Sequence, residues 1–175
     1  MGKQDKIFEK GNVRGLPFSF NQEVTEVFED MIDRSVPGYN TTLRIIQQQA
    51  KNHYIDGSNV YDLGCSLGAS TSSLLNALNG RSKVIAIDNS DSMIRSCRER
   101  FSRSIQAEQV NFLEEDISQS EIVNASIVVI NFVLQFLSIK ERAELIKNNT
   151  QFKDNIQTIL NEEFEEKQLF KSQDD

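Results

Sequence analysis

The 175 residues contain no tryptophan, two prolines, two cysteines and one histidine. Two thiols, Cys65 and Cys97, are too few for a disulfide framework or a structural zinc site. Cys97 reads as a small core residue on a helix, and a reducing cytoplasm suits this cysteine usage. A lone His53 cannot supply a histidine-based catalytic pair or a metal cluster, so it is expected at the surface or in a cap, and no metal is expected. No apolar run approaches the roughly 18 residues of a membrane span. Residues 1–10 are charged and hold no apolar stretch, so no signal peptide is expected. Internal repeats and Pro/Gly/Ser-rich linkers are also missing, so one domain is expected.

Positive charge is in short supply as well. The net charge of −7 speaks against a protein that coats nucleic acid. The excess is uneven: residues 148–175 hold three Lys/Arg against seven Asp/Glu and account for −4 of it. Arg95, Arg98, Arg100 and Arg103 crowd one segment and read as a solvated helix face rather than an RNA contact.

What the chain does have is alternation. Val24, Val27, Phe28 and Met31 recur at helical spacing until Pro37-Gly38 breaks the pattern, and Leu43, Ile46 and Ala50 mark a second helix. From Asn59 onward, short apolar runs alternate with helical stretches. Strands are expected over 60–63, 84–87, 110–113 and 126–131. Helices are expected over 69–78 and from a Ser90 cap through Met93, Ile94, Cys97 and Phe101. Ser138 and Glu141 have the spacing of a capping box opening another helix. Ile127 to Ile130 is a continuous β-branched run, which suits a strand covered on both faces. The pattern predicts a doubly wound, Rossmann-like α/β fold with a parallel sheet. Residues 1–55 read as an N-terminal helical lid, 56–147 as the nucleoside-binding core, and 148–175 as an amphipathic helix with an acidic tail.

Ligands of such folds bind beyond the carboxyl ends of the strands, and that is where the unusual residues fall. After the first strand stand Asp62, Gly64, Cys65, Ser66 and Gly68; the glycines allow a sharp turn and close approach to a ligand. The spacing departs from the dinucleotide fingerprint, with Ser66 and Ala69 where glycines are wanted. A carboxylate at Asp62 suits the cationic amino acid arm of S-adenosylmethionine (AdoMet) better than a pyrophosphate. Asp88, 24 residues after Gly64, falls where an acid holds ribose hydroxyls, although a helix N-terminal acid explains it equally. Asp116 beside Ile117 could bond an adenine amine while the apolar neighbour packs on the ring. Asn131 ends the most apolar strand and is followed by Phe132, Leu134, Gln135 and Phe136.

Residues 60–69 (VYDLGCSLGA), 86–90 (AIDNS) and 131–137 (NFVLQFL) resemble the carboxy-AdoMet synthases of bacterial tRNA wobble-uridine modification, within the class I AdoMet-dependent methyltransferases. Residues 27–39 (VFEDMIDRSVPGY) are the most specific part, and the resemblance covers about residues 5–147. It implies an enzyme of that kind, and a homodimer is expected because the apolar face of Phe152–Phe164 needs a cover. Such an enzyme makes carboxy-AdoMet from AdoMet and prephenate, releases phenylpyruvate, and leaves the RNA step to a partner enzyme. By motif, Tyr39, Gly64, Cys65, Ser66, Asp88, Asn89, Asp116, Ile117 and Asn131 would bind the nucleoside. A sulfonium acidifies its own methyl hydrogens, so the protein is expected to position and to exclude water rather than to supply a catalytic base; no catalytic residue is assigned. Family members are longer, and the arginine that pairs the added carboxylate in them has no counterpart after about Lys147. An ordinary AdoMet methyltransferase and a shortened, non-catalytic nucleoside-binding protein are the competing readings.

Overall fold

Five short segments have the alternating or β-branched character that pairs into a sheet, and all five do so in the computed structural model, which describes residues 28, 31–32, 34–148 and 157–160. The strands are β1 (Asn59–Leu63), β2 (Val84–Asp88), β3 (Val110–Glu114), β4 (Ala125–Ile130) and β5 (Gln157–Leu160). They lie in the order β3-β2-β1-β4-β5, every neighbouring pair parallel. The helices are α1 (Tyr39–His53), α2 (Ala69–Leu78), α3 (Asp91–Arg100), α4 (Ser102–Gln106) and α5 (Ile139–Asn148), with a 3-10 turn over Leu134–Phe136. The expected α/β class is therefore observed.

The period-two alternation of the strands sorts the core into two layers. One face carries Val60, Val84, Ala86, Val110, Phe112, Ile127 and Val129 against Ile46 and Ala50 of α1, Leu74 and Leu78 of α2, and Ile94 and Cys97 of α3. The other carries Tyr61, Leu63, Ile87, Val128 and Ile130 against Leu145 of α5. All six residues of β4 are buried, as its unbroken apolar run requires.

Local signals act as their chemistry dictates. The Ser90 hydroxyl accepts from the Met93 amide to cap α3. Ser138 and Glu141 form the reciprocal capping box, Ser138 N–H to Glu141 Oε2 at 2.7 Å and Glu141 N–H to Ser138 Oγ at 3.3 Å. Of the arginine cluster, Arg98 donates to the Phe112 carbonyl at 3.0 Å, Arg100 to the Leu67 carbonyl at 3.4 Å, and Arg95 pairs with Asp91 one turn back. Their presence on one short segment thus has a structural use.

One expectation needs correction. Residues 148–175 read as an amphipathic helix, yet Gln157–Leu160 is a strand that extends the sheet beside β4. Ile156, Ile159 and Leu160 fit a helical period, but a short stretch with β-branched Thr158 and Ile159 fits a strand equally. The free edge of the fully buried β4 decides, because its backbone N–H and C=O groups need partners. The remainder of that expected helix beyond Asn148, and residues 24–27 of the first one, lie outside the described residues.

Candidate functional site

The chain runs outward from β1 through β2 to β3, then returns to place β4 on the other side of β1. Strand order reverses between β1 and β4, and the crevice beyond their carboxyl ends is where such sheets bind ligands.

After β1 the backbone turns at Gly64, whose φ is +75°. A Cβ there would stand 2.3 Å from Val133 Cγ2, so only glycine fits the turn. The amides of Gly64 and Cys65 both donate to the Ile87 carbonyl, at 2.7 and 3.0 Å, which ties the turn to the end of β2. Ser66 follows with a φ of +49°, unusual for a side-chain-bearing residue. Its amide donates to Asp88 Oδ2 at 2.9 Å and its carbonyl accepts from the Cys97 thiol at 3.1 Å. The Cys97 contact first and burial second push the Cys65 thiol far up, so it stays un-ionised. Both cysteines are buried and free.

Asp88 closes β2. Its Oδ1 accepts from the Ser90 amide at 2.9 Å, opposite the bond from Ser66. Burial nonetheless holds its carboxyl above the ordinary value, because desolvation outweighs the two amides. Asp116, beyond β3, accepts from the Ser118 amide at 2.9 Å and presents the buried Ile117 beside it. Asn131, beyond β4, donates from Nδ2 to Ser70 Oγ at 3.3 Å. Phe132, at φ +56°, brings its ring within 5.9 Å of the Tyr39 ring, inclined by 43°.

These groups enclose one cavity of about 620 Å³, a size suited to a nucleoside-bearing ligand. Tyr39, Gly64, Cys65, Ser66, Asp88, Asn89, Asp116, Ile117 and Asn131 all line it. Gly68 and Leu134, also singled out from sequence, do not line it, and neither does Asp62. Asp62 is 1% exposed, beneath the floor, with Thr71 Oγ1 donating to its Oδ2 at 2.6 Å. Its Oδ1 has no hydrogen-bond partner among the described residues. Burial first, with a smaller push from Asp88, raises its carboxyl to about 7 against the lowering effect of Thr71. Asp62 therefore cannot act as an open contact for an ammonium group in the way the sequence suggested.

The sequence read residues 1–55 as a lid and singled out Phe132 and Phe136, but it named no individual apolar roof residue on the N-terminal side. Phe28, Met31, Ile32 and Val36 line the cavity from the N-terminal side, with Phe132, Phe136 and Leu137 across from them. The periodicity of Phe28 and Met31 was visible, but apolar residues at helical spacing do not say whether they cover a core or a ligand. Among the described residues no group of three or more His, Cys, Asp or Glu could hold a metal ion, and no helix is long and apolar enough to cross a membrane.

Comparison with known proteins agrees with this arrangement. A methyltransferase domain family matches residues 60–152. A carboxy-S-adenosyl-L-methionine synthase of Shewanella sediminis is 43% identical over 146 residues, covering 83% of this chain and 60% of the relative. One from Shewanella pealeana is 42% identical over 176 aligned positions, covering 91% of this chain and 72% of the relative. The chain thus spans about 60 to 72% of the length of these curated relatives. Among solved structures, that of a proposed S-adenosyl-L-methionine-dependent methyltransferase from Methanococcus maripaludis superposes with a TM-score of 0.58. It does so at 16% identity, covering 77% of this chain and 61% of that one.

Proposed function

Because the chain belongs to the carboxy-S-adenosyl-L-methionine synthases, which are built on a methyltransferase domain, we propose that it converts AdoMet and prephenate to carboxy-AdoMet and phenylpyruvate. The observation that carries the reading is the shared cavity into which consecutive strand ends deliver Asp88, Asp116 and Asn131 around the Gly64 turn.

The residues present fit such a ligand. Asp88 keeps lone pairs for two ribose hydroxyls after accepting from Ser66 and Ser90, with Asn89 beside it. Asp116 accepts from an adenine amine while Ile117 packs on the ring. The turn at Gly64, Cys65 and Ser66 leaves room for the amino acid arm, and Tyr39 and Asn131 border it. Bound AdoMet supplies a sulfonium that acidifies its methyl hydrogens. The chain's part is to hold that methyl against the donor carboxyl and to keep water out, for which the apolar roof is suited. The stoichiometry balances: the carboxyl passes from prephenate to the methyl carbon, and the methyl proton leaves with the prephenate ring hydroxyl as water.

Phe28, Met31, Ile32 and Val36 serve as the lid in this reading, since they meet the cavity from the N-terminal side, whereas α1 packs into the core through Ile46 and Ala50. The product supplies the tRNA wobble-uridine step in the cytoplasm without this chain touching RNA, and the working form is a homodimer. The test is direct. Incubation with AdoMet and prephenate should yield a species about 44 Da heavier than AdoMet by mass spectrometry. Folded protein that yields only unchanged AdoMet, or that transfers methyl groups without prephenate, defeats the proposal.

A further inference from the structure

Asp62 is the only charged side chain among the buried described residues. It stands in β1 level with Ala86 of β2 and Val129 of β4. Asp88 and Asn131, two residues further along those chains, line the cavity. Side chains alternate along a strand, so Asp62 shares their face and lies about 7 Å deeper.

Its surroundings do little to hold a negative charge. Thr71 of α2 gives a hydroxyl hydrogen bond to Oδ2 and a weaker favourable contribution from its backbone N–H, and Oδ1 is unpartnered among the described residues. Asp88 approaches from β2 with the same sign of charge, and Cys65 lies on the turn above. Val129 of β4, Ile46 and Ala50 of α1, and Cys97 of α3 complete the layer without a charge. No lysine, arginine or histidine among the described residues figures in what shifts it. An ionised carboxylate so placed is costly unless a cation arrives from outside the protein. The cavity directly above it is read as taking a ligand whose amino acid arm carries an ammonium and a sulfonium.

We propose that Asp62 keeps a proton while the cavity is empty and gives it up as the ligand's cationic arm settles over Gly64 and Cys65, so that cation uptake and proton release are one linked event. The inference rests on the nucleoside reading of the site. It makes Asp62 a positioning residue that acts through the floor, and it gives the site a preference for cationic over neutral nucleosides. Desolvation, which raises this carboxyl to about 7, puts the linkage near neutral pH. A cation settling in the cavity above acts on Asp62 through a water-poor floor, favours the ionised form and lowers the carboxyl's pKa again.

Calorimetry on the full chain, in buffers of differing ionisation enthalpy, counts the protons. At about pH 6, AdoMet should release roughly one proton per site and adenosine, which lacks the charged arm, none. Release that persists with S-adenosylhomocysteine assigns the ammonium as trigger, and release lost with it assigns the sulfonium; either supports the proposal. Asp62→Asn should bind AdoMet without release. Wild-type affinity should climb by up to about tenfold per pH unit below neutrality and level off above about pH 7, a profile that needs no variant. AdoMet binding with no proton released, a flat profile, or equal release from Asp62→Asn would overturn the inference alone. Failure of AdoMet to bind would overturn the nucleoside reading with it.

Discussion

Replacing Asp62 by Asn should change how folding stability depends on pH, and the size of the change follows from the carboxyl's position. Asn keeps an oxygen for Thr71 and cannot ionise. In the unfolded chain the Asp62 carboxyl loses its proton near its ordinary value of 3.8, whereas the folded chain holds it to about 7. Folding therefore takes up a proton across that window. The stabilising contribution is fully present below pH 4 and fades as pH rises toward 7. At about 1.4 kcal/mol per pH unit, the whole interval amounts to on the order of 4 kcal/mol, of which about 2 to 3 kcal/mol is lost between pH 5 and pH 8. Asp88, also raised by burial, acts in the same direction but is present in both proteins. Urea unfolding without ligand at pH 5 and pH 8 measures the difference. The stability of Asp62→Asn relative to wild type should rise by about 2 to 3 kcal/mol from the lower to the higher pH. Parallel profiles would mean that the buried carboxyl is ionised throughout, and the reasoning would fail.

Other perturbations test the walls of the site. Gly64→Ala forces a Cβ to within 2.3 Å of Val133 at a positive φ. It should destabilise the fold by about 1 to 3 kcal/mol and abolish ligand binding. Adding Val133→Ala should recover the steric part and leave about 1 kcal/mol of backbone strain; additive effects in the unfolding cycle would refute the contact. Asp88→Ala should weaken AdoMet binding by about 1 to 3 kcal/mol through lost charge-assisted bonds, and an unchanged dissociation constant by calorimetry would remove Asp88 from the site.

Much of this architecture was legible because β1 to β4 carry signals that do not compete. Val84–Asp88 and Ala125–Ile130 are too short and too apolar for surface helices, and glycine or a cap follows where the chain must turn. Gln157–Leu160 was not legible, since its apolar residues satisfy both periods and only the open edge of β4 selects the strand. The lining residues Asp88, Asp116 and Asn131 could be read from the rule that strand ends bear ligands. The burial of Asp62 could not. Its distance below the floor depends on strand register and on Thr71, nine residues away, folding back over it.

The two walls of the crevice share a further property that explains why Asp88 must be an acid. Ser66 after β1 and Phe132 after β4 both hold positive φ without being glycine, at 49° and 56°. Each such conformation costs about 1 to 3 kcal/mol and survives only where neighbours over-determine it. Phe132 is held against the Tyr39 ring. Ser66 is held at its amide by Asp88 and at its carbonyl by Cys97. Asp88 must then accept from Ser66 with one oxygen and from Ser90 with the other. An asparagine has one acceptor oxygen and would set an N–H₂ group against one of those amides. Asp88→Asn should consequently release the Ser66 turn as well as lose a ribose partner. It should weaken binding about as much as Asp88→Ala rather than by a fraction of it, by roughly 1 to 3 kcal/mol. A calorimetric affinity for Asp88→Asn close to wild type would show that the carboxylate's second oxygen does not anchor the turn.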